Sequence, residues 1–385
     1  MNAPRSKMTL WTSTLFLALS GLITVPLLST SATASGTTTT TSLGSTTTTS
    51  LTTTTVPTGS TTTTAPTGTT TTSTTIGTTT TTTIGTTTTT TLPIISKPTN
   101  LVWPKMGSAA FAIPRLKVAA SSPHQVEQPI ASLTKLMTTW IVLRAFPLNN
   151  SERGSCETVT AADVAIYKQD VAEEQSVAKI VLGEYLCERM LLRGIFVHSA
   201  GDYAQLLAMF TGLRPSKFVA LMNRDAVALG MHHTHYVDET GIGIGDVSTA
   251  RDQTTLAVDL MTSEPIVRSI ASLTKVWLPQ VGVVDTYTPD LGQGGVVGVK
   301  SGWTIPAGGC DVMALNIDLN RTVVTTYLVV LGEHSNNSLA LSGQVALSLF
   351  RSIRPSIARV VTPSGVQVQW VGSPSDLGTT PSPPN

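Results

Sequence analysis

Across 385 residues the chain carries 24 Lys plus Arg against 23 Asp plus Glu, for a formal net charge of +1. No run of basic residues breaks that balance, which excludes a protein that binds nucleic acid through a positive face. Length alone allows two or three domains, but composition separates one low-complexity stretch from one globular region.

The N-terminus opens with Arg5 and Lys7, continues through a mostly apolar stretch over 10–28, and reaches Ala32-Thr33-Ala34. Basic, apolar and small-residue segments in that order make a secretory signal. An uncleaved membrane anchor is the alternative, since about 20 apolar residues span a bilayer. On either reading residues 1–34 direct export, to the cell wall or the outer face of the cytoplasmic membrane. Residues 35–94 are nearly all Thr, with scattered Gly, Ser and Pro. No apolar residue alternates with threonine to form a face that could be buried, so a disordered linker is expected.

The globular region, 95–357, is long enough for one substantial core. Residues 107–118 read as an opening strand region broken at Pro114. From Leu133 the apolar positions Leu136, Met137, Trp140, Ile141 and Leu143 recur at helical spacing, and Pro147 closes the run. Ser132 then lies in the first turn of a buried helix, with Lys135 one turn later on the same face. Helices are expected over 188–194, 202–211, 217–230 and 248–262, the last capped by Thr249. Strands follow over 296–299, ending at Lys300, then over 311–316 and 322–331, before a final helix over 339–352. Helices grouped between N-terminal and C-terminal strands indicate an α+β sandwich. The tail, 358–385, reads as mostly disordered, with one short strand over 366–371.

Three cysteines permit one internal disulfide. Cys156 and Cys187 flank short segments suited to an antiparallel ribbon, whereas Cys310 opens an apolar strand and is expected as a buried thiol.

Three short motifs carry chemistry: Ser132-Leu133-Thr134-Lys135, Ser199-Ala200-Gly201 and Lys300-Ser301-Gly302. Each alone is weak, but in this order they are the signature of acyl-serine enzymes. With the blocks around them, the region from 106 to 352 resembles the D-alanyl-D-alanine carboxypeptidases, the low-molecular-weight penicillin-binding proteins. Pro129-Ile130-Ala131 leads into the first motif, Leu191-Leu192-Arg193-Gly194 approaches the second, and Gly298-Val299 precedes the third, with Trp303-Thr304 after it.

The resemblance implies a β-lactamase/transpeptidase-like fold, an antiparallel sheet flanked by helices, with a mostly helical subdomain carrying the second motif. It implies that Ser132 is the nucleophile, Lys135 its base and Ser199 a proton shuttle. Lys300, Ser301, Gly302, Trp303, Thr304 and Gly201 would line the substrate site, and backbone N–H groups of Ser132 and Trp303 would form an oxyanion hole. The implied substrate is a peptidoglycan stem peptide ending in D-Ala-D-Ala, with β-lactams as covalent inhibitors, no metal or other cofactor, no nucleic-acid partner, and a monomer. The second motif departs from the family pattern, which usually ends in Asn where this chain has Gly201. One lost hydrogen bond is worth about 0.5–1.5 kcal/mol, which predicts a slower enzyme. A catalytically weak homologue that binds peptidoglycan or regulates its synthesis is the alternative.

Other features take plainer readings. Ala271-Ser272-Leu273-Thr274-Lys275 repeats the nucleophile pentapeptide but runs into strand-like Val276-Trp277-Leu278, so it is read as non-catalytic. His232, His233 and His235 are read as turn residues rather than metal ligands, and His198 as unpaired with its neighbour Ser199. Arg251 is expected either to pair with Asp225 or Asp252 or to touch substrate.

Overall fold

The computed structural model describes residues 49–57, 78–86, 100–373 and 377. The export signal expected over 1–34 lies outside the described residues, as does much of the threonine-rich tract. Within that tract Thr49–Pro57 and Thr78–Thr86 pair antiparallel, Thr49 opposite Thr86. The rest of the linker expected over 35–94 lies outside the described residues. β-branched threonine is stiff and favours extended backbone, and pairing satisfies the N–H and C=O groups of both strands. The chain divides into two compact units, Met1–Thr87 and Thr88–Asn385; everything below concerns the second.

Its centre is a five-stranded antiparallel sheet in the order Val296–Thr304, Gly308–Asp318, Val323–Glu333, Ser108–Ile113, Val118–Ser121. Side chains alternate across the pleat. Ala109, Phe111, Met313, Leu315, Leu328 and Val330 point to one face, whereas Ala110, Val312, Ala314, Val329 and Leu331 point to the other. Both faces are apolar because both are covered by helices.

Eight helices occur among the described residues: α1 Thr134–Ala145, α2 Ala161–Ala172, α3 Glu188–His198, α4 Gly201–Met209, α5 Pro215–Ala228, α6 Ala250–Ser263, α7 Pro265–Ala271 and α8 Ser338–Ile353. Helix α8 lies on the first face; α6 crosses the second, and α7 abuts the Val296–Thr304 strand. Around them α1, α3, α4 and α5 form the helical part of the molecule. In α1 every residue from Thr134 to Leu143 is buried, polar ones included, which places the first motif at the end of the most enclosed helix of the fold.

The expected α+β pattern stands, with differences in detail: α7 is additional, and α3 runs to His198 rather than ending at 194. The strand that enters the third motif does not stop at Lys300 but continues to Thr304. Glycine and polar residues weaken the strand signal there, yet the neighbouring Gly308–Asp318 strand supplies the hydrogen bonds. Helix α2 is set by a capping box between Thr160 and Asp163, in a stretch whose apolar pattern is weak. Finally, the tail does not begin at 358. Ile357–Thr362 and Gly365–Trp370 form a hairpin, and Trp370 stacks on Phe111, 6.3 Å between ring centroids. The packing partner lies about 260 residues away in sequence, out of reach of any local pattern.

The Cys156–Cys187 disulfide is present, clamping the short ribbon in which Cys156 faces Cys187 and Thr158 faces Tyr185. Cys310 is a buried free thiol.

Candidate active site

The chain enters α1 through a 3-10 turn, Ala131–Leu133, in which Ala131 takes a φ of 48°. That left-handed residue, uncommon for a side chain other than glycine, turns Ser132 to face Lys135. Lys135 Nζ lies 3.0 Å from Ser132 Oγ and donates a second hydrogen bond to Thr240 O at 2.6 Å. Its side chain is 3% exposed. Burial disfavours the ammonium form and pulls the Lys135 pKa down to about 8, against the opposing pull of Asp238, Asp202, Asp246 and Asp170. Of these, Asp202 and Asp246 are themselves pushed up by burial, to about 7 and about 8. Near neutrality they carry only part of a negative charge, so they restrain the amine weakly.

Thr240 belongs to a loop that the motif analysis passed over. The Asp238 carboxylate accepts from the N–H groups of Thr240, Gly241 and Gly243, each at 2.6 Å. These bonds favour the ionised form, and the Asp238 pKa falls despite its burial. Thr138 Oγ1 in α1 donates to Glu239 O at 2.7 Å. Gly241 has a φ of +86°, and a Cβ on it would lie 1.9 Å from Ala131 O. Only glycine lets this loop press on the nucleophile turn and bring the Thr240 carbonyl to Lys135. An aspartate followed within three residues by Thr-Gly is the available sequence signal, since its carboxylate organises its own turn.

The second motif sits where α3 ends. Ser199 takes a φ of 59° and is 5% exposed, so its hydroxyl turns inward from the α3–α4 corner. Lys300 Nζ donates to Ser199 Oγ at 2.8 Å and to Ser301 O at 2.5 Å. Lys300 is 1% exposed. Burial holds its pKa well below the ordinary lysine value; the positive charge of Lys135 adds to this and Asp311 opposes it. Asp311 is fully buried, and that burial raises its pKa well above the ordinary value. Burial thus disfavours the charged form of both amines.

Gly302 makes the close approach that joins the first and third motifs. A Cβ there would lie 2.9 Å from Ser132 N and 3.2 Å from Ile130 O. Trp303 follows at the strand end and is 52% exposed, a large apolar ring open to solvent beside the nucleophile turn. Ser301 and Thr304 are brought to the site but spend their hydroxyls locally: Ser301 Oγ donates to Tyr287 O at 2.9 Å, and Thr304 Oγ1 accepts from Ala307 N at 3.2 Å. Gly201 begins α4 beside Ser199, its N–H donating to Ser176 O at 2.7 Å.

Residues 116–335, more than half of the chain, match the family model described as D-alanyl-D-alanine carboxypeptidase. The chain belongs to this family. It is 30% identical over 219 residues to the D-alanyl-D-alanine carboxypeptidase of Streptomyces sp. (strain K15), a match covering 51% of this chain and 71% of that protein. A D-alanyl-D-alanine endopeptidase of Pseudomonas aeruginosa is 35% identical over 144 residues, 37% of this chain and 43% of its own length. Among solved structures, penicillin binding protein 6B from Escherichia coli superposes with a TM-score of 0.60 at 23% identity, covering 72% of this chain and 86% of that one. A D-alanyl-D-alanine carboxypeptidase from Mycobacterium tuberculosis gives 0.56 at 22% identity, with 71% and 97% covered. At those identities the structures bear on fold alone, and the fold is that of penicillin-binding proteins.

The remaining features singled out in the sequence do not pair with the serines and lysines of the three motifs. Ser272 caps the C-terminal end of α7 and donates to Ser269 O at 3.0 Å; Lys275 pairs with Asp285 at 3.0 Å on the surface. The second copy of the pentapeptide therefore neither opens a helix nor brings its lysine to its serine. His233 faces Glu127 at 3.0 Å, and the His198 ring stacks on Tyr287 rather than turning to Ser199. Neither expected partner of Arg251 is taken by it. Asp225 pairs with Arg224, while Asp252 accepts from His233 N and Thr234 Oγ1. The Arg251 backbone N–H donates to Gln125 Oε1 at 2.9 Å.

Proposed function

We propose that this domain is a serine-type D-Ala-D-Ala carboxypeptidase that acts outside the cytoplasm on peptidoglycan stem peptides through an acyl-enzyme on Ser132. The observation that carries this is the pairing of two serines with two buried lysines, Ser132 with Lys135 and Ser199 with Lys300, in a chain of this family.

In the forward step a neutral Lys135 amine takes the Ser132 proton as Oγ attacks the carbonyl carbon between the two terminal alanines. The N–H groups of Ser132 and Trp303 receive the developing oxyanion. Collapse of the tetrahedral species breaks the C–N bond, and a proton passing through Ser199 leaves with the terminal D-alanine amine. Water then hydrolyses the ester and restores Ser132. Lys300 supplies positive potential for the substrate's free carboxylate, which a carboxypeptidase must recognise. With the Ser301 hydroxyl donated to Tyr287 O, this recognition falls mainly on the Lys300 amine and on backbone groups. A β-lactam would acylate Ser132 by the same route and release slowly.

The relatives named as endopeptidases favour a second reading, in which the bond cut lies inside a peptide cross-link. Purified protein incubated with a peptide ending in D-Ala-D-Ala, and separately with a cross-linked muropeptide, distinguishes them by the product released. Release of free D-alanine supports the carboxypeptidase. Cleavage of the cross-link alone transfers the activity to the endopeptidase, and neither product, with no labelling by fluorescent penicillin, leaves a binding protein.

A further inference from the structure

The second motif contributes no side-chain amide, because its last residue is Gly201. A carboxamide nevertheless stands over that position. A Cβ on Gly201 would lie 3.2 Å from Gln175 Oε1 and 3.4 Å from Ser176 O. Gln175 comes from a different element, the short link after α2. Glu174 turns that link with a φ of 57°, and Gln175 N–H donates to Asp170 O at 2.9 Å.

The link is tied to the second motif at two further points. Gly201 N–H donates to Ser176 O at 2.7 Å, and Ala178 N–H donates to Asp202 Oδ1 at 3.0 Å. The backbone of 175–178 is therefore held against the start of α4, and the Gln175 side chain lies where a side chain from Gly201 would project. The residue is half-buried. Its Nε2 donates to Glu173 Oε2 at 2.9 Å, and Glu173 is open to solvent, a partner that water replaces at little cost. The amide can thus exchange that bond for one to a ligand.

We propose that Gln175 supplies, from the α2–α4 side, the carboxamide that Gly201 lacks, and that it binds the backbone amide on the acyl side of the bond being cut. A carboxamide offers both an acceptor and two donors, which suits a peptide N–H and C=O or the side-chain amide of a penicillin. The inference rests on the acyl-serine reading above. It also gives the glycine a reason: a larger residue at 201 and the Gln175 amide would compete for one space.

The test compares the full-length protein with Gln175→Ala, Gln175→Glu, Gly201→Asn and the double variant Gln175→Ala/Gly201→Asn. The rate of labelling by fluorescent penicillin and the kcat and KM for D-alanine release are measured, with melting temperature as the check on folding. Gln175→Ala should lower kcat/KM roughly tenfold, the order expected for one well-placed hydrogen bond, without lowering the melting temperature. Gln175→Glu, which keeps the size and loses the donor, should fall similarly. Gly201→Asn alone should lower kcat/KM, since its side chain and the Gln175 amide would then compete for one space. The double variant should recover most of the loss, because asparagine then occupies the vacated position.

Unchanged kinetics in Gln175→Ala would overturn the proposal. So would a loss that Gly201→Asn does not repair, since a merely structural glutamine at the end of α2 gains nothing from an amide at position 201. If the parent protein itself neither labels nor releases D-alanine, the acyl-serine reading fails and the proposal falls with it, a result distinct from the other two.

Discussion

Lys135 serves as a base only when neutral, and its enclosure decides the pH at which that happens. With a pKa of about 8, the neutral fraction rises with pH through that value, so on the acyl-enzyme reading kcat/KM should climb between pH 7 and pH 9 and level off above it. A pH–rate profile flat across that interval would remove Lys135 as the titrating base. A second prediction separates the twin pentapeptides. Ser132→Ala should abolish labelling by fluorescent penicillin, and Ser272→Ala should leave it intact, because Ser272 donates to the backbone of its own helix and Lys275 is engaged with Asp285. At this scale the motif residues were legible, since a nucleophile and an amine one helical turn apart is a local pattern. Gln175 and Thr240 were not. Both lie on loops outside the three motifs; Asp238 followed by Thr240-Gly241 marks a turn but not its lysine partner, and nothing marks a lone glutamine.

Between elements, the close contact of the Val296–Thr304 strand with the nucleophile turn depends on the absence of one methyl group. Gly302→Ala would place a Cβ 2.9 Å from Ser132 N, and overpacking of this kind costs about 1–3 kcal/mol. The strand should move off the turn, lowering the rate of penicillin labelling by tenfold or more while the circular dichroism spectrum is retained. The ribbon clamped by Cys156 and Cys187 lies apart from this contact. Replacing both cysteines with serine should lower unfolding free energy by roughly 3 kcal/mol in the chain-entropy account of a loop of this length, measured by denaturant titration. The ribbon was readable because two cysteines beside short β-prone segments limit the possible pairings. The strand through Lys300, by contrast, was read four residues short, because Ser301-Gly302 interrupts the β-branched run and the segment is held by its neighbour.

Over the whole molecule, several carboxyls are buried where ionisation is costly. Burial pushes Asp202, Glu188 and Glu333 up to about 7 and Asp246 up to about 8, whereas in the unfolded chain such groups ionise near pH 4. The folded state therefore holds protons that the unfolded state has released. This contribution to stability is complete below about pH 4 and is lost as pH rises through 7 to 8. The depressed lysines act in the opposite sense but are fewer. Melting temperature should accordingly be several degrees higher at pH 5 than at pH 8, and a higher value at pH 8 would contradict the burial of these groups. The C-terminal hairpin makes a separate claim on stability. Trp370 and Val368 pack against the sheet face that α8 covers, so truncation after Ile353 should lower the melting temperature measurably.

Periodicity and spacing were enough to indicate the α+β class, the three motifs and the placing of Ser132 and Lys135 one turn apart, and to favour the disulfide, because each helix, strand, motif and ribbon is written within a few dozen residues of chain. The tertiary structure alone decided which of two identical pentapeptides becomes a site and which loop carbonyl holds the lysine. It also decided that the hairpin over 357–370 belongs to the fold and that a glutamine lies over the gap left at Gly201. These outcomes depend on contacts between residues far apart in sequence, where the deciding quantity is the space one element leaves for another.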